Sequence, residues 1–226
     1  MQKLKILVLH GQVQTASTVA YNTRPLRDAL SDVADLFYAE GPAVKGNELG
    51  SRPWWVWQGD RGTDRWNDTV RWWHEHLSQH SYDGIIGLSQ GSSMTAQLLS
   101  MISQPDRQLG FGPILPQPIR FAIFCSGFIS QYPGHFIDIP KDISTLHTVD
   151  HDDSLVSGYR TIELSKKCKL AVVMEHHEGH CIPMRGDWPK DVTRALICKT
   201  LTRLEWSPTS IHYLLTTEVI SGKGVR

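Results

Sequence analysis

Short apolar runs alternate with longer amphipathic stretches along most of the chain. The runs contain mainly Leu, Ile, Val, Phe and Ala without regular polar positions, which is typical of strands buried on both faces of a parallel sheet. Between them, apolar residues recur three or four positions apart, as in helices that cover a sheet. The predicted strands are residues 4–9, 35–39, 84–88, 120–124, 143–149 and 170–174. The predicted helices are residues 24–33, 66–80, a helix from 92 onward, 155–168 and 188–204.

The order of these elements predicts an α/β fold. Strands that alternate with helices form a mostly parallel sheet with helices on both faces, joined by right-handed crossovers. In such sheets the active residues lie in loops that follow the carboxyl ends of the strands. The loops that begin near residues 89, 150 and 175 all carry reactive side chains. We therefore expect a functional site at that edge of the sheet.

Length and turn signals indicate one domain. A chain of 226 residues has room for a single hydrophobic core, and we expect residues 1–206 to form it. Residues 12–22 are polar and are predicted to be a loop. Residues 40–65, rich in Gly, Pro and charge, are predicted to be a lid-like insertion. Residues 207–226, with a strand-like centre at 211–215, are expected to pack on the domain or on a partner subunit, which leaves a homodimer open.

Composition argues against several classes of function. Lys plus Arg and Asp plus Glu number 23 each, so no net charge draws the chain to nucleic acid or to a membrane surface. The apolar runs are shorter than the roughly 18 residues of a membrane span, and the N-terminal run is too short for a secretory leader. The four cysteines lack C-x-x-C and zinc-ligand spacing. We expect a cytoplasmic protein with reduced thiols and without a bound metal.

One pentapeptide, Gly87-Leu88-Ser89-Gln90-Gly91, carries the clearest chemical signal. It is a G-x-S-x-G pattern placed between a predicted strand and a predicted helix. In such a turn the serine backbone is strained, and glycine is needed two residues away on each side because larger side chains would clash. The turn exposes a hydroxyl beside a helix N-terminus, where negative charge is favoured. The alternative is a tight β–α turn with a capping serine.

Candidate acids and bases follow later strands. A serine hydroxyl is a weak nucleophile that needs a base within hydrogen-bond reach, and the base needs an acid that fixes its tautomer. His176, His177 and His180 are near candidates for the base, and His180 is favoured because it follows a glycine in a loop. The candidate acids are Asp150, Asp152 and Asp153.

The chain order of these groups is informative, although it does not choose among the aspartates. A serine, then an acid, then a histidine is the order found in α/β-hydrolases. Asp153 has a second interpretation, because an aspartate just before Ser154-Leu155 is well placed to cap a helix.

An oxyanion hole needs two backbone N–H donors. The residue after the candidate nucleophile, Gln90, would supply one. The other is expected from the loop after the first strand, where Gly11 lets the backbone approach closely. Gln12 is the preferred donor and Val13 the alternative. His10-Gly11 is otherwise a plain strand terminus.

Together these segments resemble the fungal-type serine hydrolase family, which includes the yeast family of serine hydrolases and the ovarian-tumour-associated hydrolases. They also resemble stand-alone thioesterases or hydrolases encoded with fungal polyketide synthases. The matching segments are ILVLHG (6–11), the tryptophan-bearing region before 66–80, YDGIIGLSQGSSM (82–94), FAIFCSGF (121–128), LHTVDHDDSLV (146–156) and HHEGHCIP (176–183).

The resemblance implies an α/β-hydrolase fold with Ser89 as nucleophile, Asp153 as acid and His180 as base. It selects Asp153 because the family's acid precedes a small residue and a Leu/Ile-Val pair. Two positions depart from the family, which commonly has Gly at Asp150 and Gly-Gly-His where this chain has Glu178-Gly179-His180. The departures indicate either extra acid near the base or a different loop shape.

The implied reaction is acyl transfer through an acyl-enzyme, without metal or organic cofactor. The resemblance favours a thioesterase or hydrolase that releases a polyketide acyl chain from an acyl carrier protein. The alternatives are a carboxylesterase of small esters, an acyltransferase or condensing variant, and a non-catalytic binding protein with this fold. Trp54, Trp55, Trp57 and Phe128 are candidates for an apolar acyl pocket, with core packing as the alternative for the tryptophans. A carrier protein or its phosphate would meet Arg52, Arg61, Arg65 and Arg71, unless these form a solvated face.

Overall fold

The computed structural model describes residues 2–44, 50–56 and 65–192. In these ranges the strands are β1 (Leu4–Leu9), β2 (Ala34–Ala39), β3 (Gly84–Leu88), β4 (Phe121–Cys125), β5 (Ser144–Val149) and β6 (Leu170–Glu175). The helices are α1 (Ala16–Asn22), α2 (Arg24–Leu30), α3 (Trp66–Gln79), α4 (Gln90–Ser103) and α5 (Gly158–Ser165), with a 3₁₀ turn at Pro105–Arg107. Residues 188–192 are also helical.

The strands within the described ranges form one parallel sheet in the order β2-β1-β3-β4-β5-β6. The chain moves outward from β1 to β2 and then returns to β3 on the other side of β1. Loops on either side of such a reversal point diverge and leave a crevice at the carboxyl ends of the strands. The loops after β1 and β3 lie at this point. The predicted α/β fold is confirmed.

Helices cover both faces of the sheet. On one face α3, α4 and α5 pack against the strands through residues such as Trp73, Met94 and Leu164. On the other face α1, α2 and the helical residues 188–192 bury Val19 and Trp188, among others. The strands β3 and β4 are buried along their whole length, because they are central and covered on both sides. This burial explains why they are continuous apolar runs in the sequence.

The helix α1 lies where we predicted a polar loop. Its N-cap Thr15 accepts a hydrogen bond from the Thr18 N–H, which stabilises the first turn. Val19 is the residue of α1 that is buried. With so little apolar surface, the segment has no helical period in its sequence, and the loop prediction was wrong for this reason.

Two other helices differ from the prediction at their ends. α4 begins at Gln90, directly after the serine turn. α5 begins at Gly158 instead of residue 155, because the Asp153 carboxylate binds the N–H groups of Leu155 and Val156 in a non-helical turn. Predictions for residues 193–204 and for the tail at 207–226 lie outside the described residues. Among the helices that the structure describes, none is long and apolar enough to cross a membrane.

Candidate active site

The predicted catalytic side chains lie at one edge of the sheet. Ser89 follows β3, Asp153 follows β5 and His180 follows β6. Because the sheet is parallel, the carboxyl ends of these strands all point to the same edge.

Ser89 occupies a strained turn. Its backbone has φ 55° and ψ −119°, a conformation that costs a non-glycine residue free energy and that is concentrated at functional sites. The glycines of the pentapeptide are needed for steric reasons. A Cβ at Gly87 would lie 2.6 Å from the Gly91 carbonyl oxygen, and one at Gly91 would lie 2.6 Å from the His10 carbonyl oxygen. The clash expected from the sequence is therefore present on both sides of Ser89.

His180 and Asp153 form a hydrogen-bonded pair. The His180 Nδ1 lies 2.8 Å from Asp153 Oδ2, and the side chains are 17% and 2% exposed. The other carboxylate oxygen, Oδ1, accepts the N–H groups of Leu155 at 2.8 Å and Val156 at 2.9 Å. One oxygen of Asp153 thus holds a turn and the other holds His180. The helix-cap interpretation was wrong, because α5 begins at Gly158 and its N-cap residue is Ser157.

The carboxylate of Asp153 is stabilised in its ionised form. Burial alone would raise its pKa, but hydrogen bonds from the Val156 N–H, from His180 and from the Leu155 N–H lower the pKa below its usual value. An ionised acid at this place fixes the proton of His180 on Nδ1 and leaves Nε2 available as a base.

The other histidines of the loop have different surroundings. His176 accepts the Glu178 N–H at its Nδ1, and burial lowers its pKa. His177 is exposed. In the described part of the chain, Asp153 hydrogen-bonds to the ring of His180 and not to either of these, which agrees with the choice of His180 as base.

The loop after β1 lies beside Ser89. A Cβ at Gly11 would be 3.5 Å from the Ser89 Cβ, and the Gly11 N–H donates to the Gln14 side chain at 2.9 Å. Gln90 is the first residue of α4, so its N–H has no acceptor within the helix. Gln12 is exposed in the turn that follows Gly11. Of the two predicted oxyanion donors, Gln90 directly follows Ser89 and Gln12 directly follows Gly11, the residue that approaches Ser89. The side chain of the alternative donor, Val13, is 82% exposed.

Trp54 is a core residue in this structure. Its ring is fully buried, stacked between His10 at 4.8 Å and Trp73 at 5.2 Å. Its Nε1 donates to the His10 carbonyl at 3.0 Å. The Gln90 side chain binds the same segment, accepting the Trp54 N–H and donating to the Trp55 carbonyl, both at 2.9 Å. Trp54 therefore holds the loop after β1, which agrees with the core-packing alternative.

Two further pocket candidates, Trp55 and Phe128, accept hydrogen bonds from α4 side chains through their backbone carbonyls. Trp55 is 7% exposed and packs edge-on against Trp66 and His135. Phe128 is partly buried, and the guanidinium of Arg160 lies 4.5 Å above its ring. Trp57 lies outside the described residues.

The arginines have local partners where the structure describes them. Arg65 is buried and donates to the carbonyls of Ala43 and Pro53, and Arg71 pairs with Asp68. The side chain of Arg65 thus joins the backbone at Ala43 to that at Pro53, and its burial excludes it from a cationic docking face. Arg61 lies outside the described residues.

A polar stripe on α4 anchors the segment after β4. The Gln97 side chain accepts the Phe136 N–H at 3.0 Å, and the Ser100 hydroxyl accepts the Asp138 N–H at 2.8 Å. These bonds satisfy the backbone of an irregular segment that has no strand or helix partners of its own. Periodicity alone could not reveal this role, because polar residues on a helix usually indicate a solvated face. The stripe comprises Ser93, Gln97 and Ser100. Just after α4, Gln104 bonds to Asp138 of the same segment.

Replacing Gln97 by methionine should destabilise the fold. The side chain keeps its size but no longer accepts the Phe136 N–H, and a buried donor without a partner costs about 1–3 kcal/mol. Urea unfolding should therefore show a loss of that order. Gln104→Met removes an exposed bond to Asp138 and should change the free energy of unfolding by less than about 0.5 kcal/mol. Equal stability of the two variants would contradict the role given to Gln97.

Comparison with known proteins agrees with this geometry. The family model described as serine hydrolase (FSH1) matches residues 1–192. An uncharacterized hydrolase of Schizosaccharomyces pombe is 28% identical over 207 aligned residues, which cover 80% of this chain and 48% of that protein. The chain thus spans just under half the length of this relative. Esterase OVCA2 of Bos taurus is 29% identical over 213 residues, covering 80% of this chain and 89% of the esterase.

Solved structures support the fold. Acyl-protein thioesterase 2 of Zea mays superposes with a TM-score of 0.59 at 13% identity, covering 88% of this chain and 94% of that one. At this identity the likeness concerns the fold alone. The family match extends over most of the chain and includes the serine turn and the loops that carry the Asp153–His180 pair. The chain therefore belongs to the serine hydrolase (FSH1) family.

Proposed function

We propose that this enzyme cleaves acyl thioesters or esters through an acyl-enzyme on Ser89, and that its substrate is a polyketide acyl chain held on a carrier protein. The observation that carries the proposal is the strained serine turn at the same sheet edge as a His180–Asp153 pair whose ring nitrogen and carboxylate oxygen are 2.8 Å apart. A serine with an oriented base and an oriented acid is the arrangement that acyl transfer requires.

The steps follow from the properties of these groups. The Ser89 oxygen attacks the acyl carbonyl while its proton moves to His180 Nε2. The N–H groups of Gln12 and Gln90 stabilise the oxyanion. His180 then protonates the leaving thiolate or alkoxide, and the acyl group remains on Ser89 as an ester. Water, deprotonated by His180, attacks this ester and releases the acid. Asp153 keeps its charge throughout and stabilises the imidazolium.

The class of substrate is supported by weaker arguments. A relative named esterase shares 29% identity over most of the chain, which supports ester or thioester cleavage. The preference for a polyketide on a carrier protein rests on the sequence resemblance to hydrolases encoded with polyketide synthases. A carboxylesterase of small esters is the second candidate, because the same residues would cleave either bond.

Labelling with a fluorophosphonate tests the nucleophile. We expect the wild-type protein to gain one phosphonyl group, located by peptide mass spectrometry on Ser89. The reason is that the reagent traps a serine only where a base and an oxyanion hole activate it. A folded wild-type protein without label, or with label on another serine, would contradict the proposal.

A pair of matched substrates tests the acyl donor. The same acyl chain is offered as a carrier-protein thioester and as a p-nitrophenyl ester. The proposal predicts a kcat/KM at least about tenfold higher for the thioester, equivalent to about 1.4 kcal/mol of transition-state binding. A much higher value for the free ester would favour the carboxylesterase.

A further inference from the structure

Asp150 is a buried carboxylate that binds the loop carrying His180. The residue is 3% exposed and lies at the end of β5. Its Oδ2 accepts the Gly179 N–H at 2.7 Å, and its Oδ1 accepts the Asp152 N–H at 2.8 Å. Gly179 immediately precedes His180 in the chain. The hydrogen bond from its N–H to Asp150 therefore fixes the backbone next to His180.

Backbone donors, and not a cation, stabilise the charge of Asp150. Within the described ranges, no lysine or arginine forms an ion pair with Asp150. The His176 Nδ1 lies 4.0 Å from Asp150 Oδ2. That histidine is neutral near pH 7, because burial lowers its pKa and its Nδ1 accepts the Glu178 N–H. The hydrogen bonds from Gly179 and Asp152 lower the pKa of Asp150 below its usual value. A buried charge held in this way favours the loop conformation that supplies its donors.

Glu178 holds the other side of the same loop. Its carboxylate accepts the Met184 N–H at 3.0 Å and the Arg185 N–H at 3.0 Å. Gly179, whose N–H binds Asp150, has φ +75°, a left-handed conformation that glycine adopts readily. The His180 loop is therefore closed at both ends by side-chain oxygens that bind backbone N–H groups.

These two carboxylates stand at the positions where the sequence departs from the family pattern of glycines. A glycine at either position has no side chain that could accept these N–H groups. The contacts explain both departures together, since each residue supports the loop from a different side. We propose that Asp150 and Glu178 are positioning residues that hold His180 in register with Asp153 and Ser89. The inference rests on the proposed role of His180 as the base.

The expected effect is on the chemical step. Displacement of a base by about 1 Å costs on the order of 100-fold in rate, while substrate binding depends on other contacts. Asp150→Asn keeps the shape but can accept only one of the two N–H groups, and it turns its own N–H₂ toward the other. We expect kcat to fall about 10- to 100-fold with KM within about twofold, and Glu178→Gln to act in the same direction with a smaller effect.

The experiment measures kcat, KM, fluorophosphonate labelling rate and thermal unfolding for Asp150→Asn, Asp150→Gly and Glu178→Gln. Asp152→Asn is the matched control, because its side chain is exposed in the same loop and its backbone N–H is retained. A slower labelling rate and lower kcat in folded Asp150→Asn, with the control unchanged, supports the proposal. If Asp150→Gly fails to fold, Asp150→Asn still decides.

Wild-type kcat and labelling rate in folded Asp150→Asn and Glu178→Gln would overturn the positioning role, and so would a loss confined to KM. These outcomes differ from failure of the proposed catalytic function, because in that case the wild-type protein itself would carry no label on Ser89.

Discussion

Ser89→Ala should abolish turnover, with a fall in kcat on the order of 10⁴-fold or more. The change removes the oxygen atom that would form the acyl-enzyme. The backbone at Ser89, with φ 55°, is slightly less costly for alanine than for larger residues, so the variant should fold. Fluorophosphonate labelling should disappear together with turnover.

The matched control for this variant is Ser103→Ala. Ser103 is an exposed serine at the end of the same helix, α4, and its loss should leave kcat and labelling unchanged. Circular dichroism and thermal unfolding of both variants separate a catalytic loss from a folding defect. Residual turnover of Ser89→Ala within about tenfold of wild type would exclude an acyl-enzyme at this residue.

The sequence predicted the sheet well because of where its strands lie. β3 and β4 are the central strands and are covered on both faces, so their residues had to be apolar throughout. α1 was missed because a helix with one buried residue, Val19, leaves almost no periodic signal. The sequence pattern therefore predicted elements with many buried residues, and it failed for an element with few buried residues.

In the candidate site, some residues were predicted from a local motif, and others required information from distant parts of the chain. Ser89 and its two glycines are predictable from one pentapeptide, since the steric demand of the turn is local. The pairing of His180 with Asp153 joins residues 27 positions apart, and there the order along the chain and the family resemblance were needed to choose among three aspartates. Local chemistry, chain order and the family resemblance were thus all needed to predict the reacting groups.

The contacts that support those groups were not predictable. The Gln90 side chain binds the backbone of Trp54 across 36 positions, and Gln97 binds Phe136 across 39. Side-chain bonds to distant irregular backbone have no period and no motif, so a glutamine that makes one looks like any polar helix residue. Asp150 was noticed as a candidate acid and as a departure from the family, and its proposed positioning role required the three-dimensional position of Gly179.

Substitutions near His180 should differ in their effect on kcat, depending on whether the replaced residue contacts the His180 ring. Asp153 contacts His180 directly, while Asp150 acts through the backbone, so loss of the Asp153 carboxylate should cost more. An asparagine at 153 would place an N–H₂ or a weaker carbonyl acceptor opposite His180 Nδ1. In the first case the proton of the neutral ring moves to Nε2, and the ring can no longer accept the proton of Ser89.

Asp153→Asn should therefore lower kcat by about 10³- to 10⁴-fold, with Asp152→Asn as the exposed control from the same loop.

Asp153→Asn should also make the free energy of unfolding depend on pH in a different way. Because the folded-state pKa of Asp153 is lowered, its charge stabilises the fold above the unfolded-state pKa, and this contribution is lost as the pH falls through the folded-state pKa. The stability difference between wild type and Asp153→Asn in urea unfolding should thus be largest near neutral pH and should shrink in acid. A difference that grows in acid, or a kcat equal to that of Asp152→Asn, would contradict an ionised Asp153 as the partner of His180.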